Sequence, residues 1–584
     1  MASLTSTQPT TTFSAISNSS FFAFLPKKSQ ISTTRKTKNR FTVRSATNND
    51  QNATPKGKID RRNILIGLGG LYGVAGLNAN PLAFADPIAP PDLSMCGDPN
   101  LAPVEGLNCC PPFSPNVVDF NLPPPSKLRV RPPAHALDDA YIKKFNKAIE
   151  LMRALPDDDP RSFKNQAMVH CAYCDGAYDQ VGFPDLDIQV HNSWLFFPFH
   201  RYYLYFFEKI LGKLLNDPTF AMPFWNWDSP DGMQMPGIYT DPTSPLYDAL
   251  RDANNLPPTI INLVNISSSD TTSDEQISAN LAIMYRQMVS NSRSALLFFG
   301  SEYRAGDAAN PGPGSIENIP HGPVHVWCGD KTQSNWEDMG NFYSAGRDPI
   351  FYAHHSNVDR MWSIWKTLGG RRRDLADPDW LNAGFLFYDE NAQLVRVKVK
   401  DCLDTRKLGY DYQSVEIPWL NTRPTPRRSR LGRVMRRALG VGVARADKVL
   451  TPLTDFPVTL DKAISVLVPR PARSRSKKEK YEKDEVLVID AIEFDRGLPV
   501  KFDVFINDED DAPTGPEKSE FAGSFVNVPH KHKNTVKMNT SLRLGLQDLL
   551  EDLDADDDEH LVVTLEPKLG AGQVSIGGIR IEFL

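Results

Sequence analysis

The stretch from Glu317 to Trp362 constrains this chain more than any other. It reads E-N-I-P-H-G-P-V-H-V-W-C-G-D and, after a gap, D-P-I-F-Y-A-H-H-S-N-V-D-R-M-W. His321 and His325 stand four apart, so on a helix both imidazoles leave one face and can hold a single ion. A third imidazole would come from His354 or His355. The zinc-protease pattern requires a Glu directly after the first His, and Gly322 stands there instead. Taken alone, the pair could equally be ordinary core or surface histidines.

A second cluster lies upstream, with His170 in V-H-C-A-Y-C-D and His191 and His200 in V-H-N-S-W-L-F-F-P-F-H-R-Y-Y. Seven of the 11 histidines therefore sit in two blocks, each able to offer three ligands. Trp194, Phe196, Phe197, Phe199, Tyr202, Tyr203 and Phe206 crowd the first block. Such a stripe is commonly plain core, but buried imidazoles within it need partners for two ring nitrogens each. All-imidazole sites without a ligand carboxylate suit copper better than magnesium, calcium or manganese, and zinc brings no redox chemistry. The expectation is a paired copper site that handles dioxygen.

With both blocks in place, the chain resembles the plant polyphenol oxidases (catechol oxidases), members of the coupled-binuclear copper family that includes tyrosinases and haemocyanins. The same order of motifs continues through F-W-N-W-D-S-P (Phe224–Pro230), D-W-L (Asp379–Leu381) and K-F-D-V (Lys501–Val504). The resemblance implies an α+β multidomain fold, with a mainly helical catalytic domain built around a bundle that holds two copper ions and a C-terminal antiparallel β-sandwich. It implies that His170, His191 and His200 hold the first copper and His321, His325 and His355 the second. It further implies disulfides Cys96–Cys110 and Cys109–Cys171, and a thioether from Cys174 to His191. Glu317 would orient a water beside the copper pair, Phe342 would stand as a gate above the second copper, and Gly322 would replace an Asn that assists Glu317 in other members.

From the residues alone, the alternatives are that Cys174 is an ordinary buried thiol, Glu317 a solvated loop carboxylate and Phe342 one aromatic in a Gly-containing loop. Asp359 could accept from an imidazole N–H or pair with Arg360 or Arg371. Cys328 and Cys402 have no assigned partners.

The first 49 residues contain no Asp or Glu and are rich in Ser, Thr and basic residues, the composition of an organellar transit peptide. Arg61-Arg62, an apolar Gly-rich run from Ile64 to Leu77, and A-F-A ending at Ala85 resemble a twin-Arg signal, too short to span a bilayer comfortably. The expected segments are 1–60 as chloroplast transit peptide and 61–85 as thylakoid transfer signal read by a Tat-type machinery. Removing 1–85 takes away 11 basic and 2 acidic residues, leaving 54 against 69 and a net charge near −15. That balance argues against nucleic acid as a partner.

Residues 86–420 are expected to form the catalytic domain with a Pro-rich, disulfide-pinned arm. Residues 421–450 form a basic Pro/Gly/Arg linker open to a processing protease. The alternating runs V-L-V-I-D-A-I-E-F, K-F-D-V-F-I and F-A-G-S-F-V-N-V suggest a sandwich over 451–584. By resemblance this domain covers the copper site and keeps the enzyme latent. The expected activity is oxidation of small ortho-diphenols by O₂ to ortho-quinones in the thylakoid lumen. Monophenol hydroxylation is expected to be weak because Gly322 has no side chain. A tyrosinase, an oxidase specialised for flavonoid precursors and a haemocyanin-like oxygen carrier are the alternatives.

Overall fold

The structure is a computed structural model that describes residues 86–97, 108–124, 127–264, 272–427, 450–508, 515–532 and 536–584. The leader segments 1–60 and 61–85 and most of the linker fall outside the described residues. Six helices organise the first part of the chain: α1 Asp139–Arg153, α2 Phe163–Cys174, α3 Phe196–Leu214, α4 Ser273–Tyr285, α5 Gly322–Cys328 and α6 Ile350–Thr367.

Their ends follow from the sequence. Asp138 caps α1 by accepting from Tyr141 N at 2.7 Å, and Ser162 caps α2 through Asn165 N at 3.2 Å. Helix α1 is amphipathic and buries Phe145, Ala148, Ile149 and Met152, at the spacing of one helical face. In α2 all residues but Lys164 and Met168 are buried, and α3 is buried over almost its whole length, so neither has a polar face. Helices buried on nearly every side belong at the centre of a large domain, and α3 packs directly against α6 there.

A buried charge network ties this bundle. Asp359 on α6 accepts from Arg201 Nε on α3 at 2.5 Å and from the hydroxyls of Tyr410 and Tyr412 at 2.6 and 2.5 Å. Its second guanidinium is that of Arg131, 3.5 Å away, which also meets Glu208 at 2.8 Å. The expectation for Asp359 is thereby corrected: its partner is neither an imidazole nor Arg360 or Arg371. Arg201 comes from an earlier helix and could not be foreseen from helical spacing within α6. Removing one member of such a buried network costs about 3–5 kcal/mol.

Both expected disulfides are formed: Cys96–Cys110 closes a loop within the N-terminal arm, and Cys109–Cys171 ties that arm to α2. Cys174, Cys328 and Cys402 are buried free thiols.

The C-terminal part is a pair of four-stranded antiparallel sheets. Its strands are β1 Val458–Thr459, β2 Ile464–Pro469, β3 Glu485–Asp495, β4 Val500–Ile506, β5 Phe521–Asn527, β6 Lys537–Gly545, β7 His560–Leu569 and β8 Ser575–Phe583. The orders are β6-β3-β8-β1 and β5-β4-β7-β2. Alternation along β4 sends Phe502, Val504 and Ile506 into the core between the sheets. The opposite face is not solvated: every residue of β4 and β5 is buried, and Phe505, Phe521 and Val526 join the core of the helical part. Lys501 and Asp503 share that face as an ion pair at 2.6 Å.

Candidate metal centre

Helix α2 carries His170, the segment between α2 and α3 carries His191, and the first turns of α3 carry His200. His321 ends the turn before α5, His325 lies on α5, and His354 and His355 lie on α6. The structure gathers them into two buried groups, His170, His191 and His200 in one and His321, His325, His354 and His355 in the other. Within each group the potential ligand nitrogens lie within 4.8 Å of one another. The groups face each other: the His200 and His355 rings stack at 4.2 Å and those of His191 and His321 at 5.6 Å.

The hydrogen bonds behind the rings define their tautomers. His170 Nδ1 lies 2.7 Å from the Phe342 carbonyl, His200 Nδ1 2.8 Å from that of Phe196, His321 Nδ1 2.9 Å from that of Glu317, and His325 Nδ1 2.8 Å from that of Met339. His191 Nδ1 meets Gln189 Oε1 at 3.2 Å. A carbonyl oxygen can only accept, so each Nδ1 carries the hydrogen and each Nε2 is left with a lone pair. Nε2 of His170, His191, His200 and His321 is buried without a partner. Leaving a buried polar atom unmade costs about 1–3 kcal/mol, so the arrangement fits a cation at each group. His325 Nε2 and His355 Nε2 face each other at 3.2 Å, close to the ~3.3 Å between two nitrogens bound ~2 Å from one tetrahedral ion.

Burial holds these imidazoles neutral, as metal ligands must be. It lowers His170 to about 3 and His325 to about 4, and pushes His191, His200, His321 and His355 well below the usual range.

Glu317, Phe342 and Gly322 all meet at this centre. One carboxylate oxygen of Glu317 accepts from Asn192 N and the other from Gly314 N at 3.3 Å. Burial raises its pKa well above the ordinary carboxylate range. Phe342 was expected above the second group, but its ring lies flat on His191 of the first, centroids 4.0 Å apart against 6.4 Å to His325, and it also stacks with His530 at 5.0 Å. The cavity between Glu317, His191, His321, Gly322 and Phe342 is closed from the opposite side by Val526 and Val528. Its volume is about 20 Å³, enough for about one water.

The closing residues belong to β5 and the segment after it, and their anchors were missed in the sequence. Asn318 donates to Ser524 O at 2.5 Å and accepts from Val526 N at 3.0 Å, pairing with the free edge of β5 as a strand would. Phe342 N donates to Pro529 O at 3.2 Å, and His532 Nδ1 lies 3.0 Å from Asp187. His530 and His532 were the available signal, because two histidines outside the metal blocks still need buried partners. Gly322 faces the same cover: a Cβ there would meet Val526 Cγ1 at 3.4 Å and Val528 Cγ2 at 3.6 Å.

The residues that carry this centre, 160–368, match the common central domain of tyrosinase, which places the fold and site in the tyrosinase class of phenol-oxidising proteins. Residues 374–425 match the polyphenol oxidase middle domain and 456–583 the chloroplastic polyphenol oxidase C-terminal domain. A chloroplastic polyphenol oxidase of Malus domestica is 64% identical over 571 residues, covering 96% of each chain. The solved structure of latent apple tyrosinase covers 80% of this chain and 100% of its own, at 66% identity and TM-score 0.76. That of a latent aurone synthase covers 85% and 99%, at 46% identity and TM-score 0.79. The chain belongs to the plant polyphenol oxidase family and is an oxidoreductase acting on phenols. Its histidine groups fit that family's binuclear copper site. No helix among the described residues is long and apolar enough to cross a membrane.

Proposed function

We propose that this chain oxidises ortho-diphenols, two diphenols and one O₂ giving two ortho-quinones and two waters, at copper ions held by His170, His191 and His200 and by His321, His325 and His355. The observation that carries the reading is the set of buried imidazoles turned inward by carbonyls behind them, with no protein partner on the Nε2 atoms of four of them. A copper pair bound there supplies the exchange of two electrons with dioxygen.

The rest of the chemistry falls to the protein. Glu317, beside His191 and His321 at the cavity, orients a water and through it receives the proton that the substrate hydroxyl gives up. Phe342 is the gate that limits approach past His191. A thioether between Cys174 and His191 would fix that ring further; Cys174 lies at the last turn of α2, fully buried. Val526 and Val528 fill the place a phenol ring would take, so the covered chain is latent until the linker over 421–450 is cut by a protease. Delivery by a transit peptide and a twin-Arg signal to the thylakoid lumen accords with relatives named chloroplastic.

Copper-loaded processed protein should form a trapped quinone from 4-methylcatechol at two per O₂ consumed; two bound coppers with no quinone would refute the reading. A second reading, a tyrosinase that also hydroxylates monophenols, is favoured by the description of the 66%-identical structure as a tyrosinase. Gly322 argues the other way, having no side chain to hold a water with Glu317. Gly322→Asn should raise tyramine hydroxylation in the uncovered form only, because the valines of the cover stand in the way otherwise. Similarity to an aurone synthase leaves a flavonoid-type diphenol as a candidate substrate.

A further inference from the structure

Two adjacent histidines on α6 reach the second group, yet they differ in what stands behind them. Trp227 Nε1 donates to His354 Nδ1 at 3.1 Å, and both residues are fully buried. The indole N–H can only donate. His354 must therefore accept on Nδ1 and carry its hydrogen on Nε2, the reverse of the arrangement at His170, His200, His321 and His325. His354 Nε2 is also buried without a partner, but with the Nδ1 lone pair taken by Trp227 it carries the hydrogen and has no lone pair to give a metal. Its ring lies parallel to that of His321 at 5.4 Å, close enough to compete for the site if the tautomer were free.

The surrounding F-W-N-W-D motif holds this arrangement. Trp225 N donates to Ala353 O at 2.9 Å. Asp228 accepts from Asn357 Nδ2 and Arg360 Nη1, each at 2.9 Å, and from Trp419 Nε1 at 2.9 Å. Residues 353, 354, 357 and 360 form one stripe of α6, so the motif grips the helix along that stripe and turns His355 toward His200 and His325.

We propose that Trp227 is a positioning residue that selects His355 over His354 as the ligand and so limits the second metal to three imidazoles. The proposal rests on the reading that this group holds copper. Its consequence is an open coordination position: a fourth imidazole would give the closed set typical of structural metal sites, whereas catalytic sites keep one place free.

Trp227→Phe removes the donor and keeps an aromatic ring. The copper-loaded variant should release its second copper to a chelator about tenfold more slowly, ~1.4 kcal/mol, and X-ray absorption should show more imidazoles per copper. Trp227→Phe combined with His354→Ala should return both readouts to those of the original chain. Release that is unchanged or faster in the single variant, or no reversion in the double variant, would overturn the proposal. Should Trp227→Phe fail to fold, His354→Ala alone decides: it should retain two coppers with unchanged release, and loss of one copper would overturn the selection. If the original chain does not take up two coppers, it is the copper reading that fails.

Discussion

The first histidine group draws its three imidazoles from three separate pieces of chain, and a disulfide at Cys171, next to His170, ties it to the N-terminal arm. The second draws four from two helices and their approach, carries no disulfide, and must reject one of two neighbours. The first problem is bringing distant pieces together, and a covalent tie addresses it. The second is choosing within one helix, and hydrogen-bond polarity addresses it, through an indole that can only donate. The cavity lies on the seam between them, at His191, Glu317 and His321.

The comparison breaks most visibly if single ligands are removed. His355→Ala and His200→Ala should each cost one copper and more turnover than the roughly 10- to 100-fold lost with an outer-shell partner. Copper analysis with oxygen uptake checks this, and retention of both coppers in His355→Ala would show that the second group can substitute His354 after all. At the seam, Glu317→Gln should lower turnover of the processed enzyme by about 10²-fold while leaving both coppers bound.

A smaller effect sharpens the difference between the groups. Cys109→Ser should destabilise the fold by about 2–5 kcal/mol and speed loss of the first copper with little change at the second, as read by thermal melts and stepwise chelation. Equal loosening at both sites would show that the tie is not local.

The smallest effect is on pH. Folded pKa values of about 3 for His170 and about 4 for His325 lie below the unfolded value near 6.5, so the unfolded chain binds more protons between those limits. Their stabilising contribution is present above about pH 6.5 and is lost as pH falls toward about 4 and 3. Copper-free protein should therefore melt progressively lower from pH 7 to pH 5, and bound copper should reduce the drop. Melting that is independent of pH without copper would contradict buried neutral imidazoles.

Much of this centre was legible as spacing. The four-residue step from His321 to His325 and the apolar stripe through His200 called for helices, and His325 lies on α5 with His321 at its N-cap, and His200 on α3. The alternating strand runs were equally plain, but the burial of β4 and β5 on both faces was not, because Lys501 and Asp503 are charged and are buried as an ion pair. What spacing could not show was which partner approaches from another element. Asp359 meets Arg201, and Asn318 meets an edge strand 206 residues later in the chain. Trp227 was visible in its motif, while its role depends on the polarity of a single hydrogen bond.

On the proposed function, the chain is a diphenol oxidase closed by its own sandwich. The direct test is oxygen consumption by copper-loaded protein beginning at Asp86, before and after proteolysis in the linker, with 4-methylcatechol and tyramine in parallel. Little uptake is expected before cleavage, uptake with the catechol rising about tenfold or more afterwards, ~1.4 kcal/mol or more in effective access, and little with tyramine. Full catechol activity in the uncut chain, or none after cleavage with two coppers bound, would contradict it.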